Sequence, residues 1–490
     1  RWNAHEFHLH SEFYADFGLY DVRLTVPDGY TVGATGELVA PPRRQGGKTT
    51  WHYRQGDVHD FAWTADKRYA PPLEKTWAGP LGPVAVKVLY PPEYASNAAP
   101  VLQATIDALE YFSRTLGPYP YRTVTAVVPP YGAQEAGGME YPTFFTADNT
   151  DTVTPGSLQR WMLDFVTIHE FGHGYFYGIL ASNEFEEPML DEGMNEYWDQ
   201  RMMTARGQDL VLERPWSRLF GMGARLTPFQ MERLGAALRD PADPLGANSW
   251  NRMSSASYGT VYSRTATAMR QLEALVGSAA MERAMRLYYQ RWKFRHPSIA
   301  DLRAALAEGS GRADLVDGVF DAFVYGTGAV DDRIAALSSR ELLPRPGYLP
   351  YRGRMVAVDQ AQIDAAIARR RAQWRAAHPQ APAWQGAFPY QTTVLVRRDG
   401  IAAPQLLRVR FADGSRRDIV VDAPGRWQRF TFVTPARAVS AELDPDHRLW
   451  MDRDKLDDSR TLETDARASR RWFGDLVALL QSAFALLTFA

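Results

Sequence analysis

Apolar and polar residues alternate near both ends of the chain, whereas its middle shows the spacing of helices. Alternating apolar positions at 20, 22, 24 and 26, and again at 84, 86 and 88, predict β-strands within residues 1–90. Alternation returns from about 392 to 443, which predicts a second, smaller β domain. The residues between them show helical periodicity, so we expect a multidomain α+β protein.

Proline and glycine mark the limits of these parts. Pro91-Pro92 follows the first strands, and a helix predicted from Val101 to Leu116 ends at Gly117-Pro118. We expect a β domain at residues 1–90 and a mainly helical domain at 91–350. A polar helical linker at 351–385, a second β domain at 386–455 and an apolar terminal helix at 456–490 should follow.

Composition and charge narrow the classes of function. The 490 residues carry a net charge of −2, which gives no indication of a nucleic-acid partner. The absence of cysteine excludes disulfides, cysteine zinc sites and thiol nucleophiles. The chain starts at Arg1 without a charged and apolar leader, so we expect any signal peptide to have been removed.

A candidate metal motif lies within a helix predicted from Trp161 to Leu180. His169-Glu170-Phe171-Gly172-His173 reads H-E-x-x-H. Residues four apart share one face of a helix, so the two imidazoles can point at one ion. Glu170 is rotated by about 100° from His169, which lets it reach a metal-bound water rather than the ion. Taken alone, the motif also fits a helix with two solvated or core histidines.

A third acidic ligand follows at the start of a second predicted helix. Eighteen residues separate His173 from Glu192. Three protein ligands and one open position are typical of a catalytic zinc site. Asp191 or Glu196 is a candidate acceptor for an imidazole N–H, although both also suit a charged helix surface.

Three motifs in this order resemble the M1 family of zinc aminopeptidases, a gluzincin family. The histidine motif is followed by Asp191-Glu192-Gly193, where the family usually has N-E-G. Upstream, Gly137-Gly138-Met139-Glu140-Tyr141 is similar to G-x-M-E-N, with tyrosine in place of asparagine. Downstream, Val261-Tyr262-Ser263-Arg264 is similar to the family's tyrosine segment. Among M1 members, the chain resembles bacterial membrane alanyl aminopeptidases.

The resemblance implies a fold for each part of the chain. Residues 1–90 would be an incomplete N-terminal β domain, and residues 91–350 a thermolysin-like, mainly α catalytic domain. Residues 386–455 would be a small C-terminal β-sandwich. The resemblance also implies a location in the bacterial cell envelope, either periplasmic or membrane-associated.

The resemblance further implies the role of each site residue. One zinc ion per chain would be held by His169, His173 and Glu192, with Glu170 as the general base. Glu140 would bind the free α-amino group of a peptide, and the neighbouring residues that would align the substrate are Gly137, Gly138 and Met139.

Two further roles are less closely fixed by the resemblance. Tyr262 is implied to stabilise the oxyanion, and Tyr258, four residues earlier, is its rival. A second amine-binding residue is expected upstream of residue 1, with Gln134 and Glu135 as nearer candidates.

Two segments are candidates for membrane contact, the end of the chain and an arginine-rich helix. Residues 474–490 are mostly apolar but fall short of the roughly 20 needed for a span. They fit a membrane-associated helix, a truncated span or a helix packed on protein. Residues 357–377 are rich in arginine, which is more typical of a solvated face than of lipid contact.

The sequence therefore predicts a zinc aminopeptidase that acts on peptides with a free N-terminus. A thermolysin-type endopeptidase would use the same metal ligands. A third alternative is a catalytically silent, zinc-containing interaction module at a membrane. Neither the preferred first residue nor the oligomeric state is indicated.

Overall fold

The computed structural model divides the chain into two units, Arg1–Thr327 and Gly328–Ala490. It describes residues 3–6, 8, 11–211, 225–237, 243–252, 255–382 and 384–488. In the N-terminal unit strands precede helices, and the C-terminal unit is mostly β. The multidomain α+β architecture expected from the sequence is confirmed.

The predicted alternation near the N-terminus forms an antiparallel sheet. In the first strand, the residues at 20, 22, 24 and 26 are half-buried and their neighbours are exposed. This strand pairs along its length with the fifth, and Tyr53 of the fifth strand packs on Val32 and Ala34 of the second. The strands are β1 (Gly18–Pro27), β2 (Thr31–Ala34), β3 (Glu37–Leu38), β4 (Arg43–Gln45), β5 (Lys48–Val58) and β6 (Trp63–Asp66).

A second, five-stranded sheet leads to the candidate site. Its strands are β7 (Leu73–Gly79), β8 (Gly82–Leu89), β9 (Thr123–Val127), β10 (Met139–Tyr141) and β11 (Phe144–Thr146). Their order is β10-β11-β9-β8-β7, and β9 runs parallel to both β8 and β11. Val84, Val86 and Val88 of β8 are buried, which explains their alternation. The edge strand β10 contains Met139 and Glu140 of the predicted substrate-binding segment, residues 137–141, which we call the substrate loop.

Helices supply most of the remaining N-terminal unit. Ser157 begins the second helix by accepting a hydrogen bond from the Arg160 N–H, and Ser298 and Asp301 form a capping box at the start of a later helix. A short ladder joins β12 (Leu210–Val211) to β13 (Arg225–Leu226). The helices are α1 (Ala95–Thr115), α2 (Leu158–Phe176), α3 (Glu192–Ala205), α4 (Pro228–Ala237), α5 (Ser255–Tyr258), α6 (Thr260–Val276), α7 (Ser278–Trp292), α8 (Ile299–Ser310) and α9 (Ala313–Val319).

The C-terminal unit contains two antiparallel sheets around one core. Its strands are β14 (Asp332–Glu341), β15 (Gly347–Tyr351), β16 (Arg354–Val358), β17 (Tyr390–Arg398), β18 (Gln405–Phe411), β19 (Arg416–Val421), β20 (Trp427–Thr434), β21 (Ala438–Leu443) and β22 (Ser459–Thr461). The sheet orders are β14-β17-β20 and β19-β18-β21-β22. Val394 and Val396 from the first sheet share a buried core with Leu407 and Val409 from the second, as in a sandwich. The hairpin β15–β16 and helix α10 (Gln360–Ala377) occupy most of the predicted polar linker.

The boundary between the units lies earlier than the predicted end of the helical domain at residue 350. Strand β14 pairs with β17 along its length, so residues 332–341 belong to the C-terminal sheets. The sequence analysis missed this strand because arginine, serine and acidic residues obscure its alternation around the buried Ile334. The other domain limits stay predictions.

The last helix differs from the apolar terminal helix that the sequence predicted. Helix α11 (Arg467–Thr488) begins before the apolar stretch at residue 474, and its first turns carry Arg470, Arg471 and Asp475. These charges explain why the helix as a whole is not apolar. In the part of the chain that the structure describes, no helix combines the length and apolarity needed to cross a membrane.

Candidate metal centre

The three predicted ligands converge between α2 and α3. His169 and His173 lie one turn apart on α2, and Glu192 is the first residue of α3. His169 Nε2 lies 3.0 Å from His173 Nε2, and Glu192 Oε2 lies 3.4 and 3.3 Å from these two nitrogens. All three side chains are buried.

These separations fit one tetrahedral ion. Ligand atoms bonded at about 2.0–2.1 Å around a tetrahedral zinc lie about 3.3 Å apart. The observed triangle of 3.0, 3.3 and 3.4 Å therefore leaves a point at bonding distance from all three atoms. A buried pair of imidazoles with one carboxylate is also a donor set that zinc accepts.

Two glycines let the helices approach closely enough to form the triangle. A Cβ on Gly172 of α2 would lie 2.0 Å from Asn195 Oδ1 of α3. The Asn195 amide also donates to the His169 carbonyl at 2.8 Å, which ties the two helices together. A Cβ on Gly193 would lie 2.5 Å from Thr265 Cβ, so α3 also packs closely on α6.

Carboxylates orient both imidazoles. His173 Nδ1 lies 2.6 Å from Asp191 Oδ1, and His169 Nδ1 lies 2.8 Å from Asp199 Oδ2 and 3.3 Å from Glu196 Oε2. With Nδ1–H donating to these acceptors, each Nε2 lone pair faces the common point. The sequence analysis named Asp191 and Glu196 but missed Asp199. Its signal was available, since Asp199 follows Glu192 by seven residues and so lies on the same face of α3.

Replacing Asp199 by asparagine is expected to weaken zinc binding by about 10- to 100-fold. The amide keeps the shape and an acceptor oxygen, but it removes the charge that orients and polarises His169. Competition with a chelator of known affinity would measure the change, with the exposed Asp151→Asn variant as control. Equal zinc affinity in the two variants would contradict a supporting role for Asp199.

Glu170 follows the ligand His169 on α2 and lies close to the substrate loop. Its Oε1 would be 3.5 Å from a Cβ placed on Gly138, whose positive φ of 68° favours glycine. Burial raises the pKa of Glu170 to about 7, against the opposing effect of the two imidazoles. A buried carboxylate that can exchange a proton near neutral pH is suited to general-base work.

The substrate loop places a second buried carboxylate near the ligands. One ligand atom each from Glu140, His173 and Asp191 lie within 4.8 Å of one another. Burial raises the pKa of Glu140 well above its usual range, against the opposing effect of His173, and the nearby carboxylates of Glu170 and Glu192 raise it further. Met139 and Glu140 belong to β10, which is the edge strand of its sheet, and Gly138 donates its N–H to the Thr146 carbonyl.

The structure suggests candidates near Glu140 that the sequence analysis did not name. Glu135 is exposed, and the Gln134 side chain lies outside the described residues. Instead, carboxylate oxygens of Glu12 and Glu184 lie within 4.8 Å of one another and of a Glu140 oxygen. Their positions in the sequence gave no signal, because neither belongs to the metal motifs.

Tyr262 on α6 contacts the metal ligands directly. Its hydroxyl donates to Glu192 Oε1, and its ring centroid lies 6.2 Å from that of His169. Burial and the Glu192 charge raise its pKa well above the usual range, so the phenol keeps its proton. Tyr258 packs against it at 6.2 Å between ring centroids.

The amino-acid sequence of this region matches a known family. Residues 101–323 match the profile of the Peptidase family M1 domain. The matched range contains all three converging ligands together with Glu140, Glu170 and Tyr262. This family of zinc metallopeptidases implies Zn²⁺, and the triangle described above is one of four groups of His, Asp and Glu among the described residues that could hold a metal ion. No protein with a curated description matches the sequence.

Comparison with solved structures finds similar proteins from two bacteria. Aminopeptidase A from Legionella pneumophila, in complex with aspartic acid, has a TM-score of 0.58 and 13% sequence identity, over 90% of this chain and 45% of that chain. A variant of an M1 zinc metallopeptidase from Deinococcus radiodurans has a TM-score of 0.49 and 19% identity, over 63% of this chain and 64% of that chain. The present chain thus spans less than two thirds of the length of either protein.

Proposed function

This chain carries a peptidase family M1 domain at residues 101–323, and we propose that it is a zinc aminopeptidase. It would hydrolyse the first peptide bond of peptides with a free N-terminus. The observation that carries the proposal is the convergence of His169, His173 and Glu192 beside the buried carboxylate of Glu140.

The metal would be held by the two Nε2 atoms and by Glu192 Oε2, which form the 3.0–3.4 Å triangle. A bound zinc ion would supply a Lewis acid that activates water and polarises the scissile carbonyl. The surrounding carboxylates hold the imidazoles in the tautomer that leaves Nε2 free to bind.

Glu170 is the proposed general base. It follows the ligand His169 on α2, and its Oε1 approaches Gly138 of the substrate loop, so it would take a proton from the attacking water and return it to the leaving amine. Burial, which raises its pKa to about 7, prepares it for both transfers.

Tyr262 is the proposed donor to the oxyanion. Its hydroxyl keeps its proton and lies next to Glu192, one of the ligands. A small rotation would turn the O–H from this carboxylate towards a carbonyl oxygen that becomes negatively charged. We assign this role to Tyr262 rather than to Tyr258 because the Tyr262 hydroxyl contacts a metal ligand.

Glu140 is the proposed anchor of the substrate amine. A buried carboxylate close to the metal point forms a charge-assisted hydrogen bond with an ammonium, which limits cleavage to the first residue. Gly137, Gly138 and Met139 would align the substrate main chain, because β10 is an edge strand that can pair with an extended peptide.

The other two functions remain as alternatives to be tested. A thermolysin-type endopeptidase would need room for residues before the cleaved bond, where Glu12, Glu140 and Glu184 instead gather. A catalytically silent module would have no need of Glu170 and Tyr262 at their present positions.

Two reporter peptides that differ only at the amine separate these functions. We expect the zinc-loaded protein to cleave an aminoacyl reporter with a free amine, to leave its N-acetylated form intact and to lose activity with a chelator. Cleavage of the acetylated form at a similar rate would support the endopeptidase instead. Stoichiometric zinc without turnover on a panel of free aminoacyl reporters would support the silent module.

A further inference from the structure

One hairpin of the C-terminal unit stands outside the two packed sheets. Its strands, β15 and β16, pair with each other and, within the described residues, with no other strand. Every residue from 347 to 357 is exposed, and Val358 at the base is half-buried. A two-stranded hairpin with neither face covered is at best marginally stable in water. This exposure distinguishes β15 and β16 from the sandwich strands, which share a buried core.

Apolar side chains lie on both faces of this hairpin. Residues opposite each other in an antiparallel pair share a face, and successive residues of a strand alternate between faces. Leu349 lies opposite Val356 on one face, where they are 41% and 42% exposed. Tyr348 and Met355 lie on the other face, where they are 73% and 61% exposed. A contiguous exposed patch of this kind is typical of an interaction site.

The hairpin and the residues that lead into it carry positive charge without nearby acidic residues. Residues 342–358 contain no Asp or Glu and three arginines, Arg345, Arg352 and Arg354. The two flanking acids have other partners, because Glu341 pairs with Arg371 and Asp359 caps helix α10. Within the described residues, none of the three arginines forms an ion pair. Their charges are therefore available to an anionic partner.

The turn at the tip keeps one of these arginines in an unfavourable backbone conformation. Arg352 and Gly353 join the two strands, and both have positive φ, 48° and 78°. Asparagine, aspartate and glycine are the residues preferred at the first position of such a turn. The Arg352 guanidinium also lies 5.4 Å from the centroid of the Tyr351 ring. A positive charge beside an aromatic ring is thus held at the tip against local backbone preference.

We propose that this hairpin docks on the surface of an anionic lipid bilayer. A single protein surface would cover one face of the hairpin, whereas the headgroup layer of a membrane surrounds an inserted hairpin and covers both. Guanidinium groups form charge-assisted hydrogen bonds with phosphate, and tyrosine is favoured at the membrane–water interface. The hairpin would enter the headgroup layer without crossing the bilayer. The inference concerns the C-terminal unit and does not rest on the proposed aminopeptidase function.

The first test measures whether the full chain sediments with lipid vesicles. We expect binding to mixed vesicles of phosphatidylcholine and phosphatidylglycerol, and much weaker binding to vesicles of phosphatidylcholine alone. Added salt should weaken the binding, because it screens exposed charges. Equal binding to the two kinds of vesicle, or binding to neither, would overturn the proposal.

Two arginine variants test whether the hairpin makes this contact. Arg354→Gln is expected to weaken binding to the anionic vesicles about fivefold, which corresponds to about 1 kcal/mol for one basic residue at an anionic membrane surface. Arg429→Gln removes an exposed arginine of β20 in the same unit and should bind as the unchanged chain does. Equal affinities of the two variants would overturn the assignment to the hairpin.

A fluorescent label tests whether the hairpin itself leaves water. Because the chain contains no cysteine, one substitution gives a single position for an environment-sensitive fluorophore. On anionic vesicles, a label on Met355→Cys should brighten and shift to shorter wavelength. A label on Val433→Cys, at an exposed position of β20, should not change. The same behaviour of both labels would overturn the proposal.

The Met355→Cys label also distinguishes lipid from other partners of the hairpin. Without vesicles, it should respond neither to rising protein concentration nor to poly-glutamate. A response to protein concentration would show that a second copy covers the hairpin. A response to poly-glutamate equal to that with vesicles would show that an acidic polypeptide suffices. Either result would overturn the lipid proposal.

Discussion

Replacing Glu170 by glutamine is expected to lower kcat for a free-amine reporter by about 10²- to 10⁴-fold. The amide has nearly the same shape, so the ligand triangle of His169, His173 and Glu192 should persist. What it loses is the ability to take a proton from water and pass it to the leaving amine. The expected loss corresponds to about 3 to 5 kcal/mol of transition-state stabilisation.

The measurement needs both a rate and a zinc content. Steady-state kinetics of Glu170→Gln should be compared with those of Glu110→Gln, which changes an exposed glutamate on α1. The two variants should contain the same amount of zinc, and only the first should lose turnover. Near-normal kcat in Glu170→Gln would remove this residue from the mechanism.

Replacing Glu192 by glutamine is expected to release the metal and, with it, the activity. The neutral amide is a poor ligand for zinc compared with a carboxylate. Because a direct ligand is changed, the loss of affinity should exceed the 10- to 100-fold expected for an outer partner such as Asp199. Turnover at limiting zinc should fall to background.

Zinc per chain after dialysis, and its recovery on adding zinc, would measure this effect. The Glu110→Gln variant should keep the metal under the same conditions. Partial return of turnover at high zinc would fit a weakened site. Full zinc occupancy in the dialysed Glu192→Gln variant would show that the metal is held elsewhere.

The ligand triangle was predictable because its members are fixed by local geometry. Two histidines four residues apart on α2 must share a face, and Glu192 is the first residue of α3, which follows after residues 177–191. Asp191, which accepts a hydrogen bond from the His173 imidazole, was predictable for the same reason. Asp199 was missed although its spacing of seven residues from Glu192 places it on the same face of α3.

The position of Glu12 near Glu140 was not predictable, because it depends on contacts between residues far apart in sequence. Its place is set by anchors such as His5 with Glu186 and Asp16 with His296. These pairs leave no periodic pattern, and residues 11–17 form neither a helix nor a strand that a sequence pattern would predict.

Strands show the same dependence on context. The alternation in β1 and β8 was visible because apolar residues occupy one face. Strand β14 was missed because its pairing with β17, rather than an apolar pattern, determines its conformation. The prediction of an apolar last helix is wrong because its first turns, which carry Arg470 and Arg471, precede the apolar stretch.

X-ray absorption at the zinc edge tests whether His169, His173 and Glu192 hold the metal. It would be measured on the zinc-loaded full chain and on its Glu192→Gln variant. We expect one zinc per chain in the native sequence, with two imidazole nitrogens at about 2.0–2.1 Å and carboxylate oxygen at about 2.0–2.2 Å. In the variant, this coordination should be altered or the metal lost. A zinc environment without imidazole, or one that is identical in the two proteins, would contradict the assignment of His169, His173 and Glu192 as the ligands.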